Sequence, residues 1–176
     1  MKCFEEINIP SWATIQQYCI SGWNGKFTTS KSYEGKELLF LGSLLEPDIK
    51  LALGLDVKIK SAIMFINPPN FKQEMHIDGF KLQRNNASNT ALNLPILNCT
   101  TGPMYWYNGV YHLSESPNKT IKYLQINWET EPSLANWKVI DTPTLVKINI
   151  PHHIENQSEL PRLMLSVRFT PDIDLG

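Results

Sequence analysis

The sequence predicts a mainly β domain of the α+β class: an antiparallel two-sheet sandwich or jelly roll with a few N-terminal helices packed on one sheet. Beyond residue 55, short runs of β-branched and aromatic residues alternate with turn clusters. No long helical pattern separates these runs, as it would in a parallel sheet. The twelve prolines favour turns over long helices. We therefore expect a single domain over residues 1–176.

Residues 1–55 form a mixed helical lead-in. Ser11 is placed to cap a short helix whose apolar residues recur at helical spacing. Residues 37–45 are apolar and fit either a helix or a strand. Residues 47–53 fit one short helix that Gly54 ends.

Residues 56–170 form the predicted β core, in which short strands are separated by turn-forming clusters. Strands are expected at residues 57–67, 75–78, 90–97, 104–107, 121–126, 144–148 and 162–169. Without long helices between them, these strands indicate two antiparallel sheets with the helices on one side.

Composition excludes several classes of partner. A net charge of −1 gives no bulk attraction to nucleic acid or anionic membranes. No apolar stretch reaches the length of a membrane span. The N-terminal segment has acidic residues where a signal peptide needs an apolar run, so we expect a cytoplasmic protein that is not secreted. Three cysteines without a CxxC spacing indicate free thiols. The oligomeric state is not indicated.

Two short motifs place possible metal ligands. His76-Ile-Asp78 puts an imidazole and a carboxylate on the same face of a strand. Pro151-His152-His153 follows a later predicted strand, which an antiparallel barrel can bring beside the first. Two imidazoles and one carboxylate leave coordination positions open, which suits non-haem Fe(II), whereas a structural zinc site needs a fourth ligand. The alternative interpretation is a surface loop and a polar turn.

Arg162 is a candidate anion anchor. It lies ten residues after His152 and opens an apolar strand, where an arginine is costly unless it is paired. Its planar fork matches a carboxylate, and a dicarboxylate that chelates a metal at one end needs such an anchor at the other. An ordinary salt bridge with Glu155 or Glu159 is the alternative. Arg168 points to the same side of a regular strand and is a rival anchor or a second contact.

These residues together resemble the Fe(II)- and 2-oxoglutarate-dependent dioxygenase superfamily, whose pattern is His-x-Asp, a distal His and a later Arg. The segment PHHIENQSELPRLMLSVRF is similar to a stretch of small phage or bacterial members. Its His-to-Arg spacing resembles the aspartyl/asparaginyl β-hydroxylase and prolyl-hydroxylase-like branches. The segment ALNLPILNCTTGPMYWY resembles the strand after His-x-Asp in the same small proteins. The likeness spans most of the chain.

The resemblance implies a double-stranded β-helix in which His76, Asp78 and His152 bind iron and Arg162 takes the distal carboxylate of 2-oxoglutarate. It favours His152 over His153 because the family places the ligand directly after the proline. The β-hydroxylase branch often lacks the carboxylate ligand, whereas Asp78 is present here, which leaves the substrate class open. The implied function is an oxygenase that couples decarboxylation of 2-oxoglutarate to hydroxylation of a small molecule or a protein side chain.

Further residues are weaker candidates for the site. Asn93 enters the barrel mouth if its leucine neighbours enter the core, where it contacts the co-substrate or is a satisfied buried amide. Ser166 shares the carboxylate with Arg162 or is an ordinary strand residue. Three aromatic side chains wall a substrate pocket or pack in the core: Tyr105, Trp106 and Tyr107. His112 has no partner at ligand spacing and is expected at the surface.

Two other classes of protein fit the same pattern. One is a catalytically inactive β-sandwich binding module, and the other is a cupin-like metalloprotein of different chemistry. Dependence on 2-oxoglutarate separates both from an oxygenase. A structural phage component is a further alternative, which a stable high-order assembly would favour.

Overall fold

In a computed structural model, the described residues are 2–25, 28–78, 88–115 and 124–176, without the side chains of 115, 124 and 125. Two helices lie near the N-terminus: α1 (Trp12–Trp23) and α2 (Gly35–Leu53). The strands of the described residues are β1 (Phe4–Glu6), β2 (Lys31–Tyr33), β3 (Lys58–Asn67), β4 (Phe71–Lys72), β5 (His76–Ile77), β6 (Thr90–Leu97), β7 (Pro103–Asn108), β8 (Tyr111–Glu115), β9 (Leu124–Trp128), β10 (Ser133–Val139), β11 (Thr144–Lys147), β12 (His152–Asn156) and β13 (Arg162–Thr170).

Two antiparallel sheets face each other. The first, here the major sheet, has the order β1-β11-β6-β13-β3-β2. The second, the minor sheet, has the order β10-β7-β12-β5-β9-β8, and β4 pairs with β12 beside it. Strands that are neighbours in space are rarely neighbours in sequence, which is the connectivity of a jelly roll.

The major sheet has one apolar face and one partly polar face because its side chains alternate along each strand. On β13, Leu163, Leu165 and Val167 join the core beneath the helices, while Met164 packs between the two sheets. Arg162, Ser166 and Arg168 lie an even number of residues from Met164, so their side chains point to the same side of β13. On β6, Leu92, Leu94 and Ile96 likewise face the helices, and this leaves Asn93 on the inner face. The inner face therefore receives the polar residues of both strands.

The predicted N-terminal helices are present, with two differences in detail. Ser11 precedes α1 as expected, but its hydroxyl donates to Asp48 Oδ2 at 2.6 Å rather than capping the helix. Residues 37–45 and 47–53 belong to one helix, α2, which continues through Pro47 and ends at Gly54. The proline is tolerated because it lies on the exposed side, while apolar residues stay buried at helical spacing on both sides of it.

The predicted strands all have counterparts in the described residues, although residues 121–123 of one prediction lie outside them. Six strands were not predicted: β1, β2, β4, β8, β10 and β12. Most of them are short or carry mixed polar sequences without a run of β-branched residues, so their pairing depends on neighbours distant in sequence. In the described part of the chain, neither helix has the length and apolar character to cross a bilayer.

Candidate metal and anion site

His76, Asp78 and His152 come together at the inner face of the minor sheet. His76 on β5 lies directly opposite His152 on β12, and Asp78 follows His76 by two residues. One ligand atom from each residue lies within 4.8 Å of the other two. Among the described residues, this is the one group of three or more histidine, cysteine and acidic side chains with such spacing. The set offers two nitrogen donors and one oxygen donor.

Both imidazoles are oriented by backbone carbonyls. Nδ1 of His76 donates to the carbonyl of Glu74 at 2.8 Å, and Nδ1 of His152 donates to that of Ile150 at 2.8 Å. Since a carbonyl only accepts, the proton lies on Nδ1, and Nε2 of the neutral ring carries the lone pair. His76 Nε2 lies 3.2 Å from Asp78 Oδ1. A hydrogen bond from the second ring nitrogen to a carbonyl is typical of histidines that ligate a metal.

The protonation states of the three groups favour a cation. Burial raises the pKa of Asp78, but the hydrogen bond from His76 and the charge of Arg168 outweigh it and hold that pKa well below its usual range. Burial and the neighbouring His76 lower the pKa of His152 to about 4. Burial lowers the pKa of His76, but the bond to Asp78 outweighs burial and raises it. At neutral pH the group thus presents the carboxylate of Asp78 and the neutral imidazole of His152, and a metal would displace any proton from Nε2 of His76.

Arg168 is paired with the second oxygen of the aspartate. Its Nη2 donates to Asp78 Oδ2 at 2.8 Å, while Oδ1 faces His76. The Asp78 backbone N–H also donates to the carbonyl of Ile148 at 2.9 Å. The carboxylate is consequently fixed on both sides, with Oδ1 turned toward the histidines.

Arg162 is buried in a different environment. Its side chain is 1% exposed, and Nη1 donates to Asn67 Oδ1 at 3.0 Å. Its Nε has no hydrogen-bond partner among the described residues. The two glutamates that could have paired with it are engaged elsewhere: Glu155 accepts from Lys72 at 3.1 Å, and Glu159 accepts from Asn70 at 3.3 Å. The described residues thus supply Arg162 with no carboxylate.

The metal-ligand group and Arg162 line the same pocket between the sheets, here called the central pocket. Its wall consists of Phe65, Gln73, His76, Asp78, Asn93, Met104, Ile148, His152, Ile154, Arg162, Met164 and Ser166. Two side-chain oxygens in this wall are buried without a partner among the described residues, those of Gln73 and Asn93. Together with Nε of Arg162, they leave three unpaired polar atoms around one pocket, which is a mark of a binding site. Gln73 lies outside any motif, so no sequence pattern indicates it.

The aromatic residues proposed for the substrate pocket lie elsewhere. Tyr105 and Tyr107 stack on His153, with ring centroids 4.8 and 5.5 Å away, on the face of the minor sheet opposite the central pocket. Trp106 points inward but is 0% exposed and donates to the carbonyl of Lys147 at 2.9 Å, so it packs in the core. Because side chains alternate along β7, the two tyrosines cannot share the inner face with Trp106. Their position does not support a role in the pocket wall.

The two remaining histidines stand apart from the metal-ligand group. His153 is buried on the outer face, where Nε2 lies 3.2 Å from Glu155 Oε1. His112 is exposed, and its Nδ1 lies 3.8 Å from Glu129 Oε1. The expectation that His112 is a surface residue agrees with this position.

Comparison with known proteins gives a result in solved structures alone. No protein-family model matches the chain, and no curated protein matches its sequence. A prolyl-4-hydroxylase of Pseudomonas putida aligns with a TM-score of 0.52 and 10% identity over 94% of this chain and 91% of that one. The non-heme alpha-ketoglutarate-dependent carbocyclase SnoK from nogalamycin biosynthesis aligns with a TM-score of 0.54 and 12% identity over 96% of this chain and 79% of that one.

These similarities confirm the predicted fold over nearly the whole chain. The residues that carry the resemblance in the sequence, His76, Asp78 and His152, are brought together in the central pocket. At such low identity the likeness concerns the fold, and function has to be argued from the site.

Proposed function

We propose that this protein is an Fe(II)- and 2-oxoglutarate-dependent oxygenase that hydroxylates its substrate. The observation that carries the proposal is the presence, in one pocket, of a three-ligand group and a buried arginine that pairs with no carboxylate of the described residues. A three-ligand group alone would also suit a metalloprotein of different chemistry, and a buried arginine alone would suit any anion. Together they match a ligand that chelates a metal at one end and presents a second carboxylate at the other.

The donor set fits ferrous iron. His76, Asp78 and His152 would hold the metal through two nitrogens and one oxygen, with the remaining positions open to exogenous ligands. When bound, iron and 2-oxoglutarate would supply the activation of O2 for substrate oxidation. The chain's own contribution is orientation: carbonyls fix both rings, and Arg168 fixes the carboxylate.

Arg162 would bind the distal carboxylate of 2-oxoglutarate through its fork of N–H donors. Ser166 and Asn93 are directly opposite each other on β13 and β6, and both line the central pocket. Their hydroxyl and amide groups are our candidates for further contacts to the co-substrate. Phe65, Met104 and Met164 would exclude water around the reacting atoms, which strengthens the electrostatic contacts of the site.

Anaerobic titration with Fe(II) and 2-oxoglutarate tests the proposal. We expect the visible charge-transfer band of the chelate, followed by release of succinate when O2 is admitted. The His152→Ala variant should lose both signals because it removes one nitrogen ligand. A band without succinate would point to an inactive binding module. Metal binding that is indifferent to 2-oxoglutarate would favour a cupin-like metalloprotein of other chemistry.

A further inference from the structure

The buried guanidinium of Arg162 is held by a neutral amide. Arg162 and Asn67 are directly opposite each other on β13 and β3, and both side chains are buried, at 1% and 7% exposed. The bond from Nη1 to Asn67 Oδ1 is the one that the guanidinium makes to a described residue. Burial lowers the pKa of Arg162 from its ordinary value, as expected for a buried cation that no carboxylate of the described residues contacts.

The position of Asn67 is fixed by a second buried asparagine. Asn156 is 1% exposed, and its Nδ2 donates to the backbone carbonyl of Asn67 at 3.2 Å, to that of Pro68 at 2.7 Å and to that of Leu160 at 2.8 Å. One amide thus ties the end of β3 to the turn before β13. The distance between Asn67 and Arg162 is therefore set by the fold rather than by the attraction between them.

An amide and a carboxylate have nearly the same shape at this position, but their effect on the arginine differs. An aspartate would neutralise the guanidinium inside the protein and would compete with any anion that enters the pocket. The asparagine accepts one hydrogen bond and adds no negative charge, and Nε has no partner in the part of the chain that the structure describes. A buried charge of this kind is costly unless a ligand compensates it.

We propose that Asn67 is a specificity-determining residue: by orienting Arg162 without neutralising it, Asn67 reserves the charge for the carboxylate of a ligand. The inference rests on the proposed function for the identity of that ligand, 2-oxoglutarate. The arrangement selects dicarboxylates over 2-oxoacids that lack a second carboxylate, since only a dicarboxylate reaches both the metal ligands and Arg162.

The first test uses the protein without metal or co-substrate. Asn67→Asp supplies an internal carboxylate to Arg162, so we expect the melting temperature at neutral pH to rise by about 2–4 °C or more. Asn93→Asp is the matched control, because it adds the same charge on the other strand that pairs with β13, opposite Ser166 rather than Arg162. That variant should melt at a lower temperature than the parent protein. In an Arg162→Gln background, Asn67→Asp should no longer raise the melting temperature.

The second test measures ligand binding by calorimetry, with Mn(II) in place of Fe(II). Asn67→Asp should weaken binding of 2-oxoglutarate by about tenfold or more, since its carboxylate occupies the guanidinium. Affinity for Mn(II) alone should stay as in the parent protein. Glutarate, which has two carboxylates and no keto group to chelate a metal, should raise the melting temperature of the metal-free parent but not that of Asn67→Asp.

The outcomes separate the inference from the proposed function. If glutarate raises the melting temperature of the parent protein but 2-oxoglutarate does not bind in the presence of Mn(II), the proposed function fails and the role of Asn67 stands. If Asn67→Asp is less stable than the parent, or binds 2-oxoglutarate equally well, the role of Asn67 is overturned while the metal site is unaffected.

Discussion

The two arginines of β13 lie six residues apart on the same side of the strand, yet their surroundings are opposite. Arg168 donates to the carboxylate of Asp78 at 2.8 Å, so its charge is compensated within the protein. Arg162 donates to the amide of Asn67 at 3.0 Å and meets no carboxylate among the described residues. Arg168 holds the carboxylate of the metal-ligand group in place, whereas Arg162 is left with a charge that a ligand can compensate.

This difference shows that burial and strand position do not decide what an arginine does. Both side chains alternate to the side of β13 that faces the minor sheet, and both are largely shielded from water. Their roles follow from the segment that each one meets: β3, beside β13 in the same sheet, supplies an amide to Arg162, and the segment after β5 supplies a carboxylate to Arg168. The anchor for a ligand is the cation whose neighbours leave it uncompensated.

The largest effect is expected when each arginine is replaced by methionine and 2-oxoglutarate binding is measured with Mn(II) at a concentration that saturates every variant. Arg162→Met should weaken binding by about 100-fold or more, because a buried, charge-assisted contact is lost. Arg168→Met should weaken it much less. The reverse ranking would move the anchor from Arg162 to Arg168 and would remove the difference between the two arginines.

A somewhat smaller effect is expected on the affinity for the metal, and here Arg168→Met should have a larger effect than Arg162→Met. Arg168→Met releases Asp78 Oδ2, so the carboxylate is no longer fixed on both sides. Loss of such a partner typically weakens metal binding by about 10–100-fold. Arg162→Met should leave the affinity for Mn(II) within about threefold of the parent. Equal losses in both variants, measured by competition with a chelator, would mean that Arg168 has no special relation to the metal site.

Part of this site could be predicted from sequence because its signals are local. Two-residue alternation put Leu92 and Leu94 on one face of β6 and Asn93 on the other. The same rule placed Arg162 and Arg168 on one side of β13. The spacing of His76 and Asp78 required nothing beyond an extended backbone.

The rest depends on pairing between distant strands, which no local pattern contains. That Arg162 meets Asn67, while Arg168 meets Asp78, follows from the register of β13 against β3 and from the turn after β5. β12 was missed because the sequence His-His-Ile-Glu-Asn lacks the β-branched and aromatic run that indicates a strand. Without β12 as a strand, the outer face that holds Tyr105 could not be separated from the pocket.

A substitution at Gly102 tests how closely the protein packs around Arg162. A Cβ at this position would lie 2.5 Å from the carbonyl oxygen of Glu155 and 2.8 Å from Cδ of Arg162. Gly102→Ala should therefore cost about 1–3 kcal/mol of unfolding free energy and should weaken 2-oxoglutarate binding several-fold by displacing the guanidinium. Gly22→Ala is the control, because a Cβ there meets nothing within 4 Å inside a helix, where alanine is favoured. Denaturation curves in which Gly102→Ala matches the parent would contradict close packing at Arg162.

The smallest effect concerns Glu155, one of the two glutamates that the sequence offers as partners for Arg162. Burial raises the pKa of Glu155, but hydrogen bonds from Gln157, Lys72 and His153 outweigh it and hold that pKa at about 2. Because the folded pKa lies below that of an unfolded glutamate, this contribution to stability is present above about pH 4.5 and is lost as the pH falls toward about 2. Glu155→Gln should therefore flatten the acid limb of the stability curve, measured by urea unfolding, in that window.

The same substitution also tests whether Arg162 lacks an internal carboxylate. If Glu155 is fully engaged with Lys72 and Gln157, Glu155→Gln should leave the affinity for 2-oxoglutarate within about twofold of the parent. If Glu155 instead compensates Arg162 in solution, its removal should strengthen 2-oxoglutarate binding, since a competitor for the guanidinium is gone. Tighter binding in Glu155→Gln would make the two arginines of β13 alike, each paired with a carboxylate of the chain.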